Sequence, residues 1–341
     1  MKAGVYTHFH TMEYMDIETP KITDGNALVR ITHCGISPVD VEAYAGKNPN
    51  VEPPRILGHK ICGIVEEVKP NDRYKSYRGR EVVVDPVIPC GKCDVCAKGM
   101  SNLCSHIDIV GFTRNGGLAE YVEVPIQSLH PISSNGDREC YTLATSLASA
   151  LHVESAVDRT QTGHSVIIGS WPVDILCGLL LNRMKGRSVD IIDTNSFRLN
   201  IARSLGLSCI DLSSSNLNRS VQFYLADMVT EPNLVIIGTS YIDDPISLAA
   251  ELIADHGQML LTGGMNRNVL LEHPYIVGKE LLIRGSRLYT KEDFTKSIDD
   301  ILLHGSEYRS MITHRLPLEC VIDGIRILET VEESMKVVIT V

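Results

Sequence analysis

Four cysteines stand within fifteen residues of one another: Cys90, Cys93, Cys96 and Cys104. The spacing, C-x2-C-x2-C-x7-C, places four thiolates on one short loop. Zn(II) takes four soft ligands in a tetrahedron, and a site closed by four protein ligands has no open position. Such a site organises a loop and does no chemistry. The chain has ten cysteines, and the other six (Cys34, Cys62, Cys140, Cys177, Cys209 and Cys320) are scattered. In a reducing compartment a tight cluster points to metal rather than disulfides. An iron–sulfur cluster is the other use of four thiolates; the enzyme-like sequence around the cluster favours zinc.

The second group of interest follows the apolar run SVIIGS (165–170) and reads Gly169-Ser170-Trp171-Pro172-Val173-Asp174. A dinucleotide-binding loop needs G-x-G-x-x-G between a strand and a helix. The first glycine makes the turn, the second lets the backbone approach a pyrophosphate, and the third lets helix and strand pack closely. Only the first, Gly169, is kept. Trp171, the single tryptophan, replaces bare backbone, and Asp174 falls in the first turn of the following helix, where a carboxylate satisfies the helix dipole. Both changes argue against normal NAD binding. Asp193, ending the next apolar run, stands where an acid would bind ribose hydroxyls; the plainer reading is an acid near a helix N-terminus. Arg198 follows on that helix, and its plainer reading is a solvated charge.

The elements needed to position these residues are legible. The first 150 residues or so hold short β-patterned runs broken by Gly and Pro, such as NALVRITHCGI, CGIVEEVKP and REVVVDPVIP, which predict an irregular antiparallel β domain. After Leu151, short apolar strands alternate with amphipathic segments: strands at 165–170, 188–193, 233–238 and 257–263, with helices from about Pro172 to Lys185, through SFRLNIARSLG and through ISLAAELIADHG. Strand–helix alternation predicts a parallel, doubly wound sheet. The tail from about Tyr289 carries two further helices and the strand MKVVITV. The 341 residues include 32 basic and 42 acidic side chains, for a net charge of -10, which gives no support to nucleic-acid binding. The apolar run Ile175 to Leu181 is far short of a membrane span of about 20 residues, and the N-terminus lacks a signal peptide's apolar core. A cytoplasmic protein that engages neither membrane nor nucleic acid is expected.

The opening MKAGVY, GHKICGIVEEV at 58–68, the cysteine lobe, GFTRNGGLAEYVEVP at 111–125, the strand–loop–helix at 165–177, and the stretches KELLIRGSRLYTKEDF and ITHRLPL resemble the medium-chain zinc-dependent dehydrogenases, in the sorbitol and threonine dehydrogenase branch. The resemblance spans essentially the whole length. It implies an α/β fold with a GroES-like β domain (1–150 and 290–341) carrying a structural zinc in the lobe 90–104. A Rossmann domain with a doubly wound parallel sheet (151–289) would complete it. It also implies assembly as a dimer or tetramer, and it places Lys336 at a basic position able to reach cofactor phosphates.

The resemblance further implies where a catalytic zinc would sit, and there the residues change. The family's first ligand, a cysteine, is Ser37, and the proton-relay hydroxyl two residues on is Val39. The histidine that often passes the proton to solvent is Glu42. His59 keeps the second ligand position but is followed by Lys60 where the family has Glu, and the remaining acidic position is Thr145. Asp40, which in the family braces the ligand histidine, is kept. A lysine ammonium would repel a divalent metal. One reading is that Lys60 fills the space, paired with Asp40 or Glu42; another is a relocated site using His59 with Cys34 or Cys62.

Two functions follow. The chain is an alcohol dehydrogenase-like oxidoreductase homologue for a small polyol, cyclitol or aminocyclitol, whose hydride transfer with NAD would have to proceed without catalytic zinc. Alternatively it is a pseudo-dehydrogenase serving as a binding or assembly protein. The candidate residues are His59, Asp40, Lys60 and Glu42 for catalysis, and Gly169, Asp193, Arg198 and Lys336 for cofactor contact.

Overall fold

A computed structural model of the chain describes residues 1–69, 74–133, 136–158, 162–213, 230–238, 242–263, 271 and 273–341. The chain divides into two units, Met1–Thr145 with Thr290–Val341, and Ser146–Tyr289.

The first unit begins with ten short strands: β1 (Lys2–His8), β2 (Thr11–Asp16), β3 (Asn26–Ile36), β4 (Arg55–Ile56), β5 (Lys60–Lys69), β6 (Glu81–Val84), β7 (Val87–Ile88), β8 (Asp108–Ile109), β9 (Tyr121–Pro125) and β10 (Leu129–Pro131). Two short helices interrupt them, α1 (Pro38–Tyr44) and α2 (Asp94–Ala97). Helix α1 starts because Pro38 fits the first helical position and Asp40 folds back to the amide and hydroxyl of Ser37. A 3₁₀ turn, Cys140–Leu143, leads into α3 (Ala144–Ser155).

The second unit carries β11 (Gly163–Ile168), α4 (Pro172–Asn182), β12 (Arg187–Asp193), α5 (Ser196–Ser204), β13 (Ser208–Asp211), β14 (Leu234–Ile237), α6 (Pro245–Leu252), β15 (Gln258–Leu261), α7 (His273–Gly278) and β16 (Leu282–Gly285). Its six strands run in the order β13-β12-β11-β14-β15-β16, every pair parallel. The order 3-2-1-4-5-6 is that of a doubly wound dinucleotide-binding sheet. Val166 to Ile168 and Leu234 to Ile237 are buried without alternation, as strands covered on both faces require. Helix α4 is buried along almost its whole length and ends at Asn182, three residues before the sequence pattern places its end.

The chain then returns to the first unit with α8 (Lys291–Tyr308), β17 (His314–Pro317), α9 (Val321–Thr330) and β18 (Val337–Thr340). Thr290 and Asp293 cap α8 reciprocally. Helix α9 buries Val321, Gly324, Ile325 and Leu328 at helical spacing. The main sheet runs β10-β6-β5-β3-β18-β17, with β9 also paired to β3. The register sets Lys60 opposite Gly35 and Gly35 opposite Val338. Both expected architectures, an antiparallel β unit and a parallel α/β unit, are present.

Candidate functional sites

Three groups of residues bear on function. The cysteine lobe is the simplest. The sulfurs of Cys90, Cys93, Cys96 and Cys104 all lie within 4.8 Å of one another, and they form the one group of three or more His, Cys, Asp or Glu ligands among the described residues. Cys93 Sγ is 3.4 Å from Cys96 Sγ and 3.9 Å from Cys104 Sγ. Four thiolates about a tetrahedral zinc, each at about 2.3 Å, would stand roughly 3.8 Å apart. The amides of Cys90 and His106 both point at Cys104 Sγ, at 3.4 Å each, as they would at a thiolate. The lobe fits zinc.

The second group lies where β3 and β5 meet α1. Asp40 is fully buried, and both its oxygens are engaged. Oδ2 accepts from the Ser37 amide (2.9 Å) and the Ser37 hydroxyl (2.7 Å); Oδ1 accepts from the Gly58 amide (3.1 Å) and lies 3.3 Å from His59 Nδ1. Burial alone would raise its pKa, but His59 and the Ser37 donors outweigh that and hold it at about 2. The His59 ring, packed edge-on against Phe112, is pushed toward its neutral form by burial, which Asp40 opposes. The Lys60 ammonium donates to Thr145 Oγ1 at 3.0 Å. Burial lowers Lys60 to about 8, and Asp40 limits the fall. Glu42 is half-buried and raised by that burial, with Lys47 opposing it.

The structure therefore brings Asp40, His59 and Lys60 together, while Glu42 sits in the field of Lys47. His59 is the one strong metal donor among Ser37, His59, Lys60 and Thr145, and no His, Cys, Asp and Glu set of three assembles around it among the described residues. A relocated site with Cys34 or Cys62 finds no support in the geometry of the described residues. Neither thiol joins His59 in a group of three His, Cys, Asp or Glu ligands among the described residues, and burial pushes both thiols up. This donor set does not fit a catalytic zinc.

The third group is the loop after β11. Gly169 has φ 130°, a conformation that favours glycine. Trp171 caps α4 and is buried. Its amide, which would face a phosphate, donates instead to Asp174 Oδ2 at 2.9 Å, and Pro172 has no amide proton to offer. The other Asp174 oxygen presses against Gly238 at the end of β14, where a Cβ would collide with it. Asp193 is fully buried and turned inward: Oδ2 accepts from Ser170 Oγ at 2.6 Å, and Oδ1 accepts from the amides of Thr194 (2.6 Å) and Asn195 (3.2 Å). Arg198 donates to the same Ser170 hydroxyl at 3.2 Å and lays its guanidinium 4.4 Å from the Trp171 ring centre. Asp193 and Arg198 are thus brought together at Ser170, the residue after Gly169. The anion site of the helix N-terminus is filled by the chain's own carboxylate. A pyrophosphate does not fit beside Asp174.

With this geometry in hand, the comparisons with known proteins are specific. Residues 23–134 match the alcohol dehydrogenase GroES-like domain. L-galactonate-5-dehydrogenase of Escherichia coli K12 is 26% identical over 302 residues, covering 88% of this chain and 87% of its own length. D-altritol 5-dehydrogenase of Agrobacterium fabrum C58 is 28% identical over 312 residues, covering 89% and 88%. The matched domain and these relatives support the medium-chain zinc-dependent alcohol dehydrogenase family for this chain. An alcohol dehydrogenase of E. coli CFT073, solved with NADH, superposes over 100% of this chain and 99% of its own with a TM-score of 0.87 at 24% identity, a likeness of fold. By family the chain is an alcohol dehydrogenase-like oxidoreductase. No helix among its described residues is long and apolar enough to cross a membrane.

Lys336 escaped a full account from sequence. It is 1% exposed, and its Nζ has no hydrogen-bond partner among the described residues. It packs over Gly35, where a Cβ would stand 2.6 Å from Lys336 Cε and 3.2 Å from Thr142 Cβ. A glycine opposite a buried lysine was the available signal, but reading it required the register of β5, β3 and β18.

Proposed function

We propose that this medium-chain dehydrogenase relative has given up ordinary zinc- and NAD-dependent alcohol oxidation and acts as a binding protein for a small polyol-class molecule. The observation that carries the reading is the Asp174 carboxylate on the Trp171 amide. It holds a negative charge where the family holds a diphosphate. The donor set at Ser37, His59, Lys60 and Thr145 supports it independently. In this reading one zinc per chain sits in the cysteine lobe as a staple. The exposed edge strand β16, with Leu282 turned outward, supports assembly as a homo-oligomer.

A second reading has its own observation. Lys60, lowered to about 8 by burial, stays largely protonated at neutral pH and donates to Thr145. An ammonium so placed would stabilise an alkoxide oxygen without metal, as a zinc-free oxidoreductase on a polyol or its carbonyl partner would need.

Titration of the purified protein with NADH, read through Trp171 fluorescence and by calorimetry, separates the two. Under the binding reading neither quenching nor binding heat is seen. Saturable quenching with heat would overturn it in favour of the zinc-free enzyme. Metal analysis of the same sample gives one zinc per chain; two would overturn the argument from the donor set.

A further inference from the structure

We infer that Lys60 and Lys336 form a binding site for one small oxyanion, a carboxylate or a phosphate, in the main sheet of the first unit. The site stands on geometry. Lys60 on β5 faces Gly35 on β3, and Gly35 faces Val338 on β18. Directly paired residues share a sheet face, and so do residues two apart along a strand. Lys60 and Gly35 therefore project to one face, where Gly35 leaves a gap for want of a side chain; Lys336 is the residue before β18. Lys336 uses that gap: its terminal atoms lie over Gly35, against Thr142. The turn at Cys140–Leu143 and the first residues of α3 bring Thr142 and Thr145 to this face, and Thr145 fixes Lys60.

The charges here do not balance. Lys60 is 8% exposed and Lys336 1%; burial, and after it repulsion from Lys60, lowers the Lys336 pKa well below that of a free lysine. The carboxylate that acts on both is Asp40, and its oxygens already serve Ser37, Gly58 and His59. Lys336 Nζ has no hydrogen-bond partner among the described residues. A buried lysine nitrogen without a hydrogen-bond partner is costly in either form, and a small oxyanion bridging the two lysines would supply both the partner and the charge that keeps Lys336 protonated. Ammonium pairs recognise carboxylate and phosphate oxygens alike. The inference does not depend on the state of the nucleotide loop.

The test compares thermal unfolding midpoints of the full chain at fixed ionic strength in chloride, sodium acetate and inorganic phosphate, with calorimetry for affinity. Acetate or phosphate at about 50 mM raises the wild-type midpoint saturably by about 2–4 °C over chloride; the anion with the lower Kd identifies the group recognised. Lys336→Met melts higher than wild type in chloride and loses the oxyanion-dependent rise. Lys60→Met loses most of that rise, and it answers the question alone if Lys336→Met does not fold. A wild-type midpoint that neither oxyanion moves would overturn the inference. An equal rise in wild type and variants would do the same, since it reports general salting-out. Failure here leaves NADH binding and zinc content unchanged, so it is distinct from failure of the function proposed above.

Discussion

The loop after β11 and the sheet face around Gly35 both carry charged side chains that the family's pattern does not expect, and they are settled differently. In the loop, each new group has a neighbour: Asp174 takes the Trp171 amide, and Trp171 lies under Arg198, which shares Ser170 with Asp193. On the sheet face, Asp40 is satisfied, but Lys336 Nζ is left without a hydrogen bond among the described residues. An amide taken by the chain's own carboxylate has little left to offer a ligand, whereas a buried lysine nitrogen without a hydrogen bond can accept an anion. On the proposals made above, the changed residues close one place and give the other a new ligand preference.

The largest effect expected from breaking this contrast comes from Lys60. Its folded pKa, about 8, lies below that of a free lysine. Between about pH 8 and 10.5 the unfolded chain binds more protons than the folded one, so stability rises with pH across that window. The cost at pH 7 is on the order of 3 kcal/mol. Lys60→Met is expected to remove most of it, less the hydrogen bond to Thr145, and to flatten the rise. Urea unfolding at pH 7, 9 and 10.5 checks this. Parallel curves for wild type and variant would mean that Lys60 reaches water and that the sheet-face site is not desolvated.

Asp40 has the opposite sign. Its folded pKa, about 2, is depressed, so its contribution is fully present above about pH 4 and is lost as pH falls toward 2. Asp40→Asn is expected to lose about 2 kcal/mol at pH 7, with the gap to wild type closing by pH 2. The variant also removes the charge that limits the fall in Lys60, so combining it with Lys60→Met should cost less than the sum of the two. Additive effects would separate Asp40 from the lysine pair.

What the sequence revealed and what it hid divide along the range of the interactions. The alternation of strands and helices after Leu151, and the cysteine spacing 90–104, are local patterns, and each leads directly to a parallel sheet and to four sulfurs within 4.8 Å. Asp174 is three residues from Trp171, so its reach to that amide was nearly legible as a capping interaction. The placement of Arg198 over Trp171 was not, because it depends on how α5 packs beside the loop. Lys336 and Gly35 lie about 300 residues apart in the chain, and only the register of β3 with β18 shows that one fills the space left by the other. Reading Lys336 from its motif alone gives a basic residue for cofactor phosphates, whereas its Nζ is buried against Gly35.

The smallest effect tests the closed side of the contrast. Trp171→Gly with Asp174→Gly restores glycine at the turn, frees the amide of residue 171 and removes the carboxylate from the helix N-terminus. Calorimetry with NADH is expected to show affinity at least tenfold above wild type, about 1.4 kcal/mol, because a phosphate can then take the place Asp174 held. Asp174→Asn alone keeps the steric plug and removes the charge. If Asn suffices, electrostatics close the site; if both changes are needed, the Trp171–Arg198 stack does. No gain in either variant would mean that the loop backbone, and not these side chains, bars the cofactor. Closure would then not be the self-satisfaction that sets the loop apart from the lysine pair.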